Sequence, residues 1–296
     1  MNEAWTSLAW SAAAGLLWTL AAAIKLTNVG RVSASLAALC RRAPTLDLIV
    51  AAVTWIPWVL AGIAAAQGAP VIGDAHWSLA VLGVLAGQIA GLQLWCWGHE
   101  FANRDKVRGP RIVRYLNRRV GRFRNHAALW ITALAYPIFW GIRFGEVAIY
   151  PWLVWTVRLP RYKQADWINV SRTKFEGLVG HDLIWCLYCD WMTGVYSLGA
   201  EMLRNVESFW CPIRFYDGKK CDNCKVDFPD IDGGWVPANA SMADVVDTMH
   251  KHYDQGDHSW FGHPGRKVNL TVKGQPQLPA DPSPLTPPDP TDRTVR

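Results

Sequence analysis

Three apolar runs open the chain: Ala4 to Leu26, Leu46 to Ala66 with Pro57 inside it, and Trp77 to Trp97. Each is about 20 residues long, which as a helix crosses a hydrocarbon core of roughly 30 Å. The third carries Gly83, Gly87 and Gly91 at four-residue spacing. Small residues one turn apart let two helices approach closely in lipid, within one chain or between two. A fourth apolar stretch, Ala127 to Val157, is longer than one untilted crossing and shorter than two. Pro137, the pair Arg143 and Glu146, and Pro151 interrupt it. Charges inside a membrane are costly, so these two either serve a function or mark a bend at the surface. At i and i+3 they can also pair on a helix. Gly141 and Gly145 stand beside them, so Trp140 to Glu146 is predicted as a bend and the whole stretch as a re-entrant or half-buried hairpin.

From Pro160 the chain is polar. The exception, Leu178 to Leu203, is too interrupted by His181, Asp182, Asp190 and Glu201 to read as a span. After Gly274 the sequence QPQLPADPSPLTPPDPTDRTVR has too few apolar residues to bury a core and is predicted to be disordered. The expected fold is mainly α. It comprises a multi-pass helical membrane domain (1–159), a small Cys-rich, metal-stapled α+β or irregular domain (160–273), and a disordered Pro-rich tail (274–296).

Charge adds orientation. The loop from Thr27 to Thr45 holds Arg31, Arg41 and Arg42, and the loop from Gln67 to His76 holds no Lys or Arg. The loop 102–126 holds Arg104, Lys106, Arg108, Arg111, Arg114, Arg118, Arg119, Arg122 and Arg124. The positive-inside bias puts the first and third loops in the cytoplasm and the N-terminus outside. The first run lacks the basic start of a cleavable signal peptide. Within the third loop Pro110 can begin a helix, with Ile112, Leu116, Val120 and Phe123 on one face and arginines on the rest. Such a helix lies on anionic headgroups. Composition agrees. Eighteen tryptophans suit membrane interfaces. A net charge of +6 suits nucleic acid or anionic lipid, and the crowding of Arg between two apolar runs selects lipid. Membrane lipids are therefore the expected partner, with a protein partner open and no specific nucleic acid expected.

Candidate chemistry is concentrated between His181 and Asp227, which hold five of the seven cysteines: Cys186, Cys189, Cys211, Cys221 and Cys224. If Asp182 to Val206 is helical, Ile184, Leu187, Tyr188, Trp191, Val195, Leu198 and Met202 share one face. Cys186 and Cys189 fall on the other, polar side, where a merely structural cysteine is not expected. Gly194 and Gly199 weaken the case for one continuous helix. The segment GKKCDNCK around Cys221 and Cys224 resembles a metal knuckle, and its lysines favour thiolate. Two CxxC pairs supply the four soft ligands of tetrahedral Zn2+, with Cys211 in reserve. The gap between the pairs exceeds that of common zinc ribbons. Three or four of these thiolates suit an iron–sulfur cluster equally, and a CxxC near a membrane suits thiol–disulfide exchange. Cys40 and Cys96 read as packing residues.

Two weaker patterns remain. His250, His252, Asp254, Asp257, His258 and His263 make a polar cluster whose spacing matches no standard metal site. The neighbours His99–Glu100 and His181–Asp182 have the chemistry to move protons, although such pairs are most often solvated. P-loop, dinucleotide-binding, nucleophile-elbow and EF-hand patterns do not occur. The sequence thus predicts a membrane-anchored binding or organising module with a cysteine-ligated centre, zinc first. The contrasting expectation is a membrane-bound redox protein using iron–sulfur or CxxC chemistry. The cysteine domain is expected in the cytoplasm.

Overall fold

In lipid an uncharged run has few backbone options, because every N–H and C=O must be satisfied within the segment. A computed structural model describes residues 3–67, 77–175, 177–213, 236–237 and 239–253. These are almost entirely helical, and their only β-structure is two isolated bridges, Arg42 with Asn169 and Ile213 with Val236. Three segments are long and apolar enough to cross a membrane: Trp5–Val32, Trp77–Ala102 and Arg122–Val157. A fourth arises if Thr45–Val53 and Ile56–Ala66, bent by 49°, are taken together. By contacts the chain divides into two units, 1–147 with 163–199 and 148–162 with 200–296.

In the first unit, α1 (Glu3–Val32) buries Ser7, Ser11 and Thr19 and exposes Trp5, Trp10, Leu17 and Trp18. Its small polar side meets the glycines of α5 (Trp77–Ala102). A Cβ added at Gly83 would stand 2.7 Å from the Leu8 carbonyl, and one at Gly91 would stand 2.9 Å from the Leu16 carbonyl. At Gly87 it would collide outright with the carbonyl of Ala12. The contacts climb both helices in the same order, so α1 and α5 are parallel. The doubled GxxxG is therefore used within the chain.

The chain between them continues through the short α2 (Ala34–Cys40) and returns through α3 (Thr45–Val53) and α4 (Ile56–Ala66). The break falls at Thr54 and Trp55, just before Pro57, which sits in the first turn of α4 where its missing N–H costs nothing. A broken helix leaves carbonyls without partners, and side chains fill the gap. Gln88 Nε2 donates to the carbonyls of Val53 (2.8 Å) and Thr54 (2.9 Å). Trp18 Nε1 donates to the carbonyl of Ala52 (2.8 Å). Ala61, Ala65, Ala80 and Val84 close the α4–α5 seam, running antiparallel.

After α5 come α6 (Arg104–Arg108), α7 (Ile112–Val120) and α8 (Arg122–Ala133). The amphipathic helix expected to run through Phe123 is two helices. Gly121 at φ +91° breaks it, a backbone that costs glycine nothing. The expected bend at Trp140 to Glu146 is absent. Instead α9 (Tyr136–Phe144) passes through a π-helical turn (Gly145–Ile149) into α10 (Tyr150–Val157). The charges there do not turn the backbone toward water, because Arg143 finds the carboxylates of Asp47 and Glu146 inside the protein. The reversal comes later, at Arg158 in the left-handed region (φ 59°).

Helix α11 (Gln164–Trp167) leads to α12 (Gly180–Trp210), which is unbroken at Gly194 and Gly199. Those glycines mark close approaches rather than weak points. A Cβ at Gly194 would stand 2.7 Å from the Trp167 carbonyl, and one at Gly199 would stand 2.6 Å from Ile142 Cγ2. The apolar face expected on this helix is the buried one, with Trp191, Val195 and Leu198 almost fully enclosed.

In the second unit, Tyr150 Oη donates to the Pro160 carbonyl (3.1 Å), folding the chain back along α10. Asn205 on α12 donates to Tyr162 Oη and to the Glu201 carbonyl. Helix α13 (Met242–Tyr253) begins with Asp244 accepting from the Ser241 N–H (2.7 Å) and hydroxyl (2.6 Å). These bonds lower the Asp244 carboxyl's pKa. The second CxxC and the Pro-rich tail lie outside the described residues.

Candidate functional site

Two buried ionic clusters hold α12 and its neighbours to the apolar helices of the first unit. One sits at the end of α5. The first N–H groups of any helix lack internal partners. Here another helix supplies them: Gly180 N–H donates to His99 Nδ1 (3.1 Å) and His181 N–H to Glu100 Oε1 (3.2 Å). Gly180, at φ +50°, lies directly against the Glu100 side chain. Arg111 then bridges three groups: Glu100 Oε1 (2.8 Å), Asp182 Oδ2 (2.9 Å) and the Val179 carbonyl (3.0 Å). The other oxygen of Asp182 accepts the Val113 N–H (2.9 Å) at the start of α7. Asp182 in the first turn of α12 also suits the positive end of the helix dipole. The Arg111 and Asp182 side chains are each only 5% exposed. Burial by itself would weaken the Arg111 charge, but the two carboxylates outweigh it and raise its pKa. His181 extends the cluster, its Nδ1 3.0 Å from Glu100, its Nε2 2.7 Å from Gln93 Nε2, and its ring edge-on to His126.

The second cluster joins α3, α9, the π turn, α11 and α12. Arg143 donates to Glu146 Oε2 (2.7 Å), Asp47 Oδ2 (2.6 Å) and Gln164 Oε1 (2.7 Å). Trp191 Nε1 donates to the remaining oxygen of Asp47 (3.0 Å). Arg143 and Glu146 are effectively sealed, at 1% and 2% side-chain exposure. The pairing suspected from their i, i+3 spacing is therefore present, and Asp47 is the partner that sequence reasoning missed. Its signal was available: Asp47 is a lone carboxylate at the start of an otherwise apolar run. Rings of Tyr136, Trp140 and Trp191 pack beside the cluster.

The cysteines face elsewhere. Cys186 is half-buried and Cys189 exposed, within one turn of α12. Burial pushes the Cys186 thiol up, partly offset by Arg172. Arg172 pairs with Asp190 (3.0 Å), whose carboxylate also accepts the N–H groups of Ser171 and Arg172. Cys211 follows the last turn of α12 and is exposed. Cys221 and Cys224 lie outside the described residues, so their expected union with Cys186 and Cys189 does too. Among the described residues no three His, Cys, Asp or Glu side chains are arranged to hold a metal, and the described cysteines form no disulfide. Cys96 is buried and Cys40 half-buried, as expected of packing residues. Of the His-rich cluster, only His250 and His252 fall in described chain, near the end of α13; its other members lie outside.

One cavity of about 400 Å³ opens between α4 and the start of α5, lined by Trp58, Val59, Gly62, Ile63, Ala66, Trp77 and Val81. The described residues of its walls are apolar. Helices long and apolar enough to cross a membrane, with a buried ionic framework, are what this chain offers for comparison, and no protein-family model, curated protein or solved structure matches it.

Proposed function

We propose that the protein is a membrane-anchored binding or organising module that presents a cysteine-ligated zinc centre on the cytoplasmic face. The observation that carries this reading is the Glu100–Arg111–Asp182 clamp. It fixes the first turn of α12 to the end of a membrane-spanning helix, and Cys186 and Cys189 follow within about two turns. A rigid mount with one exposed and one half-buried thiol suits presentation of a centre to a partner better than it suits turnover.

Sidedness has separate support. Parallel α1 and α5, with α3–α4 returning between them, leave Val32, Thr45 and Ala102 on one face. That face carries Arg31, Arg41, Arg42 and the Arg104–Arg124 series, and positive charge favours the cytoplasm. The chain after α10 rejoins the same group of residues. Gln164 meets Arg143, the Ala43 N–H donates to the Ile168 carbonyl (3.0 Å), and Val179 meets Arg111. Chain on both sides of Arg122–Val157 thus contacts this face, which favours a reversal at Arg158 that brings the chain back over a net crossing. A reducing cytoplasm keeps thiols available for metal.

Metal analysis of the purified full-length chain tests the proposal. The expected result is about one zinc per chain, lost in a Cys186→Ser, Cys189→Ser double variant. A metal-free protein overturns the zinc centre. The second reading, redox chemistry, rests on the half-buried and exposed pairing of Cys186 and Cys189, an arrangement thiol exchange also uses. Iron with absorbance near 400 nm, or a Cys186–Cys189 disulfide in cells, favours that reading instead.

A further inference from the structure

We infer that the exposed side of α7 and the start of α8 form a binding surface for anionic phospholipid headgroups. The inference rests on the membrane-anchored reading and names what this face grips. Short helices in water hide their large apolar side chains, yet here Tyr115 is 62%, Ile112 53% and Phe123 84% exposed. Arg118, Arg119, Arg122 and Arg124 stand among them, exposed and without an ion pair among the described residues. Three other arginines of the loop are committed elsewhere, while Arg108 is exposed like these four. Arg111 is locked in the clamp, and Arg114 donates to the Val107 carbonyl (2.8 Å). Arg104 lies 3.7 Å over the Phe101 ring.

The sequence therefore divides its cations into those that build the fold and those left facing out. Outward cations interleaved with outward aromatic and aliphatic groups match the two layers of a bilayer surface. The apolar groups enter the acyl boundary while the guanidinium groups hold phosphates. RNA would reward the arginines but leave Ile112 and Phe123 in water. The location agrees, because α7 is fastened through Arg111 to Glu100 at the end of α5, where a bilayer surface must pass, and through the Val113 N–H to Asp182 of α12.

Native mass spectrometry of the full-length chain, purified in micelles holding phosphatidylglycerol and phosphatidylcholine in equal amounts, tests this. The wild type should retain phosphatidylglycerol over phosphatidylcholine by about fivefold or more, with the preference shrinking as salt rises. The variant R118Q/R119Q/R122Q/R124Q should retain the two about equally. Its melting temperature should stay near wild type, since Arg111 and Arg114 are intact. If that variant fails to fold, a polarity-sensitive dye at Phe123→Cys decides. Bluer emission in phosphatidylglycerol bilayers than in phosphatidylcholine supports the inference, and equal emission overturns it. Equal lipid retention by the wild type, an unchanged preference in the variant, or displacement of phosphatidylglycerol by RNA also overturns it. Carbonate washing separates the two failures. A chain stripped from membranes defeats the anchored reading itself, whereas a retained chain without lipid preference defeats only this inference.

Discussion

The α1–α5 seam and the docking of α12 solve the same problem with opposite chemistry. Both hold helices together at close quarters. The seam does it by removing side chains: Gly83, Gly87 and Gly91 let backbones touch along Ser7, Ser11 and Thr19. The docking does it with charge, using Arg111 and Arg143 as hubs that each reach two carboxylates and a further oxygen. The difference teaches where specificity resides. A glycine stripe accepts any close, smooth partner, whereas a buried guanidinium accepts one arrangement of oxygens. The apolar helices are thus joined by shape, and the polar helix is positioned by geometry.

Breaking the ionic side should cost most. Replacing Arg143 by Met leaves Asp47 and Glu146 buried without their cation, and the expected loss is about 3–5 kcal/mol. Thermal unfolding in detergent, monitored by fluorescence, should show it as a large fall in melting temperature. A melt within a degree or two of wild type would mean water already reaches the cluster.

The seam is next. Gly87→Val places branched carbons in the path of the Ala12 carbonyl, so α1 and α5 must separate. The expected cost is about 3 kcal/mol, the upper range for overpacking. Gly98→Val, at a position with nothing within 4 Å, should be nearly silent. Equal effects at both positions would remove the seam from the account.

Asp182→Asn probes the clamp more gently. Asparagine keeps an oxygen for the Val113 N–H but loses the charge facing Arg111 and the helix dipole. A loss of about 2 kcal/mol is expected. Limited proteolysis should then cut between 171 and 180 sooner than in wild type.

The smallest effect concerns the thiols. In metal-free protein at pH 8, iodoacetamide should modify Cys189 faster than Cys186. Burial raises the Cys186 pKa, so less of it is thiolate at that pH. Raising the pH should speed modification of Cys186, as more of its raised-pKa thiol ionises. Site-resolved mass spectrometry reads both rates, and equal rates at pH 8 would contradict the burial seen here.

Much of this was legible in the sequence, where the signal was local. The three apolar runs, the glycine seam and the buried face of α12 follow from spacing alone. Two misreadings share one cause, a rule applied without its tertiary partner. Arg143 and Glu146 suggested a bend because charge was assumed to seek water, whereas Asp47, 96 residues away, receives Arg143 inside the protein. Gly194 and Gly199 suggested a weak helix because glycine lowers propensity, whereas Trp167 and Ile142 press on them. The clamp was half visible. Both His–acid neighbour pairs stood out, but nothing local joins Glu100 to Asp182. Arg111, read as one of a run of surface cations, makes that link.

Sidedness carries the central claim, since zinc, reduced thiols and the lipid surface all require α12 at the cytoplasmic face. Two exposed positions test it in intact cells with a membrane-impermeant maleimide: Gln67→Cys at the end of α4 and Ser171→Cys before α12. The account predicts modification of Gln67→Cys alone, with Ser171→Cys reacting only after lysis. Modification of Ser171→Cys in intact cells would put α12 outside and contradict the account.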